Sequence, residues 1–132
     1  MTISVPPREM SVGLTLQTEV RSESVVVVMA GMSDEPDATA VTEYLVRAHA
    51  LALMQNVSEF IVDVRFLRFV NSCFLKALIS WLGRISSGAS GVCPVRFRAD
   101  QSIDWQRRSL DAIRRLAPAL VQVDFSSSGE AR

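Results

Sequence analysis

Alternation of apolar and polar residues predicts strands at both ends of the chain. Residues 12–20 alternate between the two classes, and the apolar run 25–30, which ends at Gly31, is too short for a helix. These segments predict one strand with a side facing water, followed by one covered on both faces. Similar patterns predict further strands over 60–64, 95–98 and 121–125.

Three stretches with apolar residues every three or four positions lie between the later strands. The first follows an acidic segment, the second follows Asn71 and Ser72, and the third covers about 103–116, capped by Asp100 or Ser102. The order β-β-α-β-α-β-α-β with right-handed crossovers predicts an α/β domain. Its central sheet is mixed, and its helices lie mainly on one face.

The predicted domain covers residues 12–125. A chain of 132 residues with 48% hydrophobic residues is large enough for one packed core. Pro6 and Pro7 predict a flexible N-terminal arm over 1–11, because neither supplies an amide donor to a ladder or helix. The small and polar composition of 126–132 predicts a disordered tail.

Charge and composition narrow the classes of partner. Fourteen basic residues balance fourteen acidic ones, which argues against binding to nucleic acid or to a charged membrane surface. The two cysteines have no CxxC spacing and there is one histidine, so we expect no metal and no cofactor. Without a signal segment or an apolar span, the sequence predicts a cytoplasmic protein.

Enzyme signatures are missing from the sequence, and we expect no enzymatic activity. It has no phosphate loop, no dinucleotide fingerprint, no nucleophile elbow and no HExxH motif. His49, in the first helix, is expected to have a packing or surface role, although folding could bring it close to Ser72. Cys73 is expected to be a small buried thiol, with a thiol of lowered pKa at a helix start as the alternative.

The segment 60–85 carries a resemblance to a known family. It runs from an apolar strand containing an Asp to a hydrophobic pair, Phe69 and Val70, then to Asn71 and Ser72 and an amphipathic helix. This order resembles the STAS (sulfate transporter and anti-sigma factor antagonist) domain family, which has Asp-Ser at the polar pair. The likeness extends over about 12–125, with Gly31 at the position of the family's glycine.

Two departures indicate a divergent STAS-like subgroup of bacterial regulators. Asn71 replaces the family's acidic residue, and Phe74 stands where the family commonly has glycine. The subgroup carries Asn-Ser or Asn-Thr at this place, and the segment 103–108 resembles its third helix.

The resemblance implies a protein-binding regulator controlled by phosphorylation. In anti-sigma factor antagonists of this family, a partner kinase that doubles as the anti-sigma factor phosphorylates the serine, and a PP2C-type phosphatase reverses the modification. Ser72 is therefore the implied phosphorylation site. Helix capping alone would also favour an Asn-Ser pair. The implied partner-binding residues are Arg68, Asn71, Ser72, Cys73 and Phe74.

The alternative is a STAS-like module that is never phosphorylated and acts as a scaffold or as a homodimerisation domain. It would use apolar surface such as Phe74 or Trp81, and the bulk of Phe74 could crowd a kinase. Trp81 shares a helical stripe with Phe74, Leu78 and Ile85, and this spacing predicts that Trp81 is buried.

Overall fold

The computed structural model describes residues 3–11, 14–33, 38–87 and 92–126. Within them, six strands form one sheet in sequence order, and three helices connect the last four strands. The strands are β1 (Ile3–Ser11), β2 (Leu14–Val20), β3 (Ser24–Ser33), β4 (Glu59–Val70), β5 (Val95–Asp100) and β6 (Val121–Ser126). The helices are α1 (Ala38–Met54), α2 (Ser72–Ser86) and α3 (Asp104–Leu116).

The helices form a layer on one face of the sheet. Strands β1 to β3 are antiparallel, whereas β3 to β6 are parallel, and each helix leads to the next strand in the same direction. Right-handed crossovers of this kind place all three helices on the same side. Val27, Val62 and Phe97 are buried beneath them, while Arg96 on the opposite face pairs with Glu59 and Asp124 at 3.0 Å each. The predicted α/β architecture is confirmed.

The first strand lies where the sequence predicts a flexible arm. Ile3–Ser11 pairs with β2 at the edge of the sheet, so the observed order has one strand more than β-β-α-β-α-β-α-β. The pairing passes from Val5 to Arg8 with a register shift, which leaves Pro6 and Pro7 out of the ladder. Proline is tolerated at such an edge bulge because no donor is needed there.

The two central strands are longer than the apolar runs that predict them. Gly31 does not end β3, since the strand continues to Ser33. Gly31 has a φ of 104° and lies beside a shift in the register with β4. A positive φ of this size favours glycine. Strand β4 likewise continues past Val64 to Val70, and its last residues pair only with β3.

Neither predicted cap residue caps the third helix. Ile103 occupies the N-cap position without a side-chain hydrogen bond. Asp100 instead ends β5, and its carboxylate accepts hydrogen bonds from the amide and hydroxyl of Ser102. The acidic segment 34–37 and the predicted tail beyond Ser126 lie outside the described residues. No helix in the described ranges is long and apolar enough to cross a membrane.

Candidate functional site

The connection from β4 to α2 is a single residue, Asn71, which caps the helix. Its backbone is extended, with φ −102° and ψ 176°, and its Oδ1 atom accepts a hydrogen bond from the Phe74 amide at 3.0 Å. This bond satisfies one of the amides that a helix start leaves unpaired. Of the two cap candidates in the sequence, Asn71 therefore has the capping role.

Ser72 is the first residue of α2, and its side chain is exposed. Within the described part of the chain, its hydroxyl makes no hydrogen bond, because Asn71 already caps the helix. The first turn of α2 contains no acidic residue, so the partial positive charge of the helix start is not offset there. A negative group on Ser72 is therefore compatible with the helix.

Cys73 and Phe74 differ in how far they face solvent. Cys73 is a half-buried free thiol, so it is less buried than the small buried thiol that the sequence predicts. Phe74 is 2% exposed, and its ring packs edge-on against Trp105 at a centroid distance of 6.5 Å. Its bulk therefore fills the core and does not crowd the surface around Ser72.

Trp81 cannot contact a partner either, since it is fully buried and packs against Phe60. Its predicted burial is confirmed. The two apolar residues named for the scaffold alternative, Phe74 and Trp81, both lie inside the protein.

Exposed apolar and basic side chains gather at the end of β4. Phe66 and Phe69 are each more than half exposed, and Met32 lies beside Phe69 in the ladder. Arg68 is exposed and lines a surface cleft of about 470 Å³ together with Arg65, whose guanidinium is held by Asp63 at 2.8 Å. The sequence does not predict this apolar patch, because the apolar run that predicts β4 covers only residues 60–64, whereas the strand continues to Val70.

Trp105 and Gln106 brace this end of β4 from α3. Gln106 is fully buried, and its amide nitrogen donates hydrogen bonds to the carbonyls of Val64 and Leu67 at 2.6 and 3.0 Å. Its Oε1 atom accepts from the Asp100 amide of β5 at 2.7 Å. Trp105 Nε1 donates to the same Leu67 carbonyl at 3.0 Å. The ladder between β4 and β5 ends at Asp63 and Arg98. Beyond it, the two side chains supply hydrogen bonds to backbone groups that the ladder no longer pairs.

The sequence signal for this brace is the segment 103–108, which carries the resemblance to the subgroup's third helix but does not reveal the role of either residue. Trp105 thus contacts the chain on both sides of Ser72, at Leu67 five residues before it and at Phe74 two residues after it.

His49 lies on α1, beside the amino-terminal end of β4 and away from Ser72. It is buried against Phe60 and Trp81, with ring centroids 5.6 and 6.5 Å away, and its Nε2 atom accepts a hydrogen bond from the Cys93 amide at 3.1 Å. Trp81 lies nine residues from Ser72 along α2, about 14 Å at 1.5 Å per residue, and His49 packs against the Trp81 ring. His49 therefore has the packing role that was expected, and it is not a base for Ser72.

Burial of His49 should make the protein less stable in mild acid. Loss of solvation lowers the pKa of His49 in the folded state, and the Cys93 carbonyl, 3.2 Å from Nε2 and able to accept a hydrogen bond from the protonated ring, opposes this only in part. Above pH 6.5, the ordinary pKa of histidine, His49 is neutral in both the folded and the unfolded chain. As the pH falls below 6.5, the unfolded chain binds a proton at His49 more readily than the folded chain does, so the free energy of unfolding decreases. The slope should approach about 1.4 kcal/mol per pH unit at most.

Urea melts of the protein and of His49→Gln between pH 7 and 5.5 measure this effect. The variant should lose most of the slope, because His49 is the single histidine of the chain. An unchanged slope in His49→Gln would assign the acid sensitivity to other groups.

Comparisons with known proteins identify the fold. No family model and no curated protein matches the sequence. The structure is similar to an anti-sigma factor antagonist from Mycobacterium paratuberculosis, with a TM-score of 0.56 and 15% identity over 89% of this chain and 86% of that one. A weaker similarity, with a TM-score of 0.42 and 16% identity over 75% of this chain and 97% of the other, is to the anti-sigma factor antagonist SpoIIAA in its unphosphorylated form. The first similarity agrees with the STAS-like fold expected from the sequence.

Proposed function

We propose that this chain, whose fold is that of an anti-sigma factor antagonist, is a protein-binding regulator that phosphorylation of Ser72 switches off. In its unmodified form it binds a partner through the surface around Arg68, Asn71, Ser72 and Cys73. The partner is a serine kinase of the anti-sigma type, and a PP2C-type phosphatase restores the unmodified state. The protein acts in the cytoplasm and needs no cofactor of its own.

The exposed hydroxyl of Ser72 is the observation that carries this proposal. A serine selected only as a helix cap would hydrogen-bond an amide of the first turn, but Asn71 makes that bond. The hydroxyl is thus accessible to a kinase, and modification breaks no described contact of the fold. Phosphate adds about 1.5 to 2 negative charges at pH 7, enough to oppose a partner that binds the neutral form.

Phe74 takes part in the proposal only as a core residue. Its ring anchors the first turn of α2 against Trp105 and so positions the backbone of Ser72, without offering contact surface to the partner.

The second candidate function is a binding module that is never phosphorylated. Its binding surface would not include Phe74 or Trp81, because both are buried. The patch of Met32, Phe66 and Phe69 is the observation that favours it, since exposed apolar clusters often mark interaction sites. Such a module would bind its partner whether or not Ser72 carried charge.

Mass spectrometry of the protein isolated from its host, with the proteins that copurify, separates the two candidates. We expect phosphate on Ser72 in part of the population and a kinase bound only to the unmodified part. Absence of phosphate under all growth conditions, with a partner still bound, would favour the unphosphorylated module.

A further inference from the structure

Lys76 lies one helical turn after Ser72 on α2. Both side chains are exposed, and because the two residues are four apart they share one side of the helix. Side chains at this spacing have their Cβ atoms about 5 to 6 Å from each other. Long helical side chains also lean toward the amino-terminal end, so Lys76 covers the turn that contains Ser72. An ionic group on Ser72 is therefore within reach of the Lys76 ammonium.

Within the described residues, Lys76 has no counter-ion. It lines a cleft of about 310 Å³ between α1 and α2 together with Glu43 and Arg84, yet it makes no ion pair with Glu43. The helix dipole does not account for Lys76 either, because it favours cations near the carboxyl-terminal end of a helix. Arg84 is at that end, in the last turn of α2, whereas Lys76 lies near the opposite end. The charge of Lys76 is thus available to an added negative group.

The spacing of Ser72 and Lys76 is the one that stabilises an ion pair on a helix. An acidic group four residues before a lysine is the more favourable of the two orders. Phosphate on Ser72 would have this order and would add about 1.5 to 2 negative charges. The first turn of α2 contains no acidic residue that would compete with the phosphate. We propose that Lys76 is the counter-ion of phosphorylated Ser72 and holds the phosphate on the exposed face of α2.

The pair determines where the switch places its charge. Without a counter-ion the phosphate of an exposed serine is free to turn into solvent, whereas Lys76 keeps it on the surface that we propose for partner binding. One positive charge offsets the phosphate only in part, so the pair retains a net charge of about −0.5 to −1 and still opposes the partner. The inference rests on the proposed function, since it names the residue that positions the modification of the same switch.

The second pKa of the phosphate reports the pair directly. Phosphoserine can be introduced in place of Ser72 in the full chain during translation, and phosphorus NMR then follows its titration. An adjacent cation favours the dianion and so lowers this pKa. At about 0.1 M salt, the pKa should be about half a pH unit higher in Lys76→Gln than in the chain that keeps Lys76. An unchanged pKa in Lys76→Gln would overturn the pairing.

Arg84→Gln is the matched control for the loss of charge. Like Lys76, Arg84 is an exposed cation of α2 that lines the same cleft and makes no ion pair within the described ranges. It lies twelve residues from Ser72, about 18 Å along the helix, so its charge is largely screened at this distance. Arg84→Gln should leave the phosphate pKa unchanged. Equal pKa values in Lys76→Gln and Arg84→Gln would overturn a specific pair.

Two further variants separate a positioning role from other effects. Lys76→Arg restores the cation and should keep the pKa of the phosphate low, whereas a value as high as in Lys76→Gln would contradict the ion pair. Arg68 is the exposed cation four residues before Ser72, at the end of β4. A larger rise of the pKa in Arg68→Gln than in Lys76→Gln would place the phosphate against β4 and overturn the proposal.

The result for the pair is independent of the result for the proposed function. The introduced phosphate needs no kinase, so a chain that shows the pair but never carries phosphate in its host would refute the proposed function alone. Phosphate on Ser72 in the host, with no effect of Lys76→Gln on its pKa, would refute the pair alone. Circular dichroism of each variant checks that the fold is intact, as expected for substitutions at exposed positions.

Discussion

Trp81→Ala should lower the free energy of unfolding by about 3 to 5 kcal/mol, the range for loss of a large aromatic side chain from a packed core. Trp81 is 0% exposed and lies between α1 and the start of β4, where its ring meets His49 and Phe60. Removal of the indole would leave a cavity that these rings cannot close. Urea denaturation followed by circular dichroism measures the change.

The indole nitrogen itself should contribute little. Trp81 Nε1 is buried and has no hydrogen-bond partner among the described residues, so Trp81→Phe removes no bond and should cost less than about 2 kcal/mol. The exposed Leu116 provides a control, since Leu116→Ala should change stability by no more than about 0.5 kcal/mol. A loss well under about 1 kcal/mol for Trp81→Ala would contradict its place in the core.

Gln106→Leu should destabilise the protein by about 3 kcal/mol, because it leaves buried polar groups without partners at about 1 to 3 kcal/mol each. The Asp100 amide and the Val64 carbonyl would both lose their bonds to Gln106. The Leu67 carbonyl would keep Trp105. A loss below about 1 kcal/mol would show that water or a shift of the strands replaces the amide.

Gln106→Glu tests the direction of these bonds with almost no change of shape. A carboxylate has no donor for the Val64 carbonyl and is buried here, so the variant should be less stable at pH 7 than Gln106→Leu. Protonation restores a donor, and the deficit relative to the unchanged protein should shrink as the pH falls to 5. An equal deficit at both pH values would contradict the hydrogen-bond assignment.

The sequence predicts the parts of the fold that depend on local pattern. Alternation over 14–20 and helical spacing behind Ser72 each reflect one buried face, which the chain must satisfy wherever it folds. The resemblance at Phe69, Val70 and Ser72 led to the STAS-like fold, which the structural similarity supports. The sequence also predicts that Asn71 and Ser72 precede a helix. It does not show which of the two side chains caps that helix, because both residue types are good caps.

Other features depend on contacts between distant segments and have no local signal. The edge strand β1 forms because β2 offers an unpaired edge, and a register shift removes Pro6 and Pro7 from the ladder. Gln106 looks like any polar helix residue until the divergence of β4 and β5 supplies its three partners.

The affinity of the isolated kinase partner for Ser72→Glu, measured by calorimetry beside Ser72→Ala, tests the switch most directly. Both variants should melt like the unchanged protein, since the Ser72 hydroxyl makes no described bond and Asn71 keeps the cap. Ser72→Ala should bind the partner as the unchanged protein does, and Ser72→Glu should bind at least about tenfold more weakly, because it places a negative charge in a neutral contact. Equal affinity of Ser72→Glu and the unchanged protein would contradict control of binding by charge at Ser72.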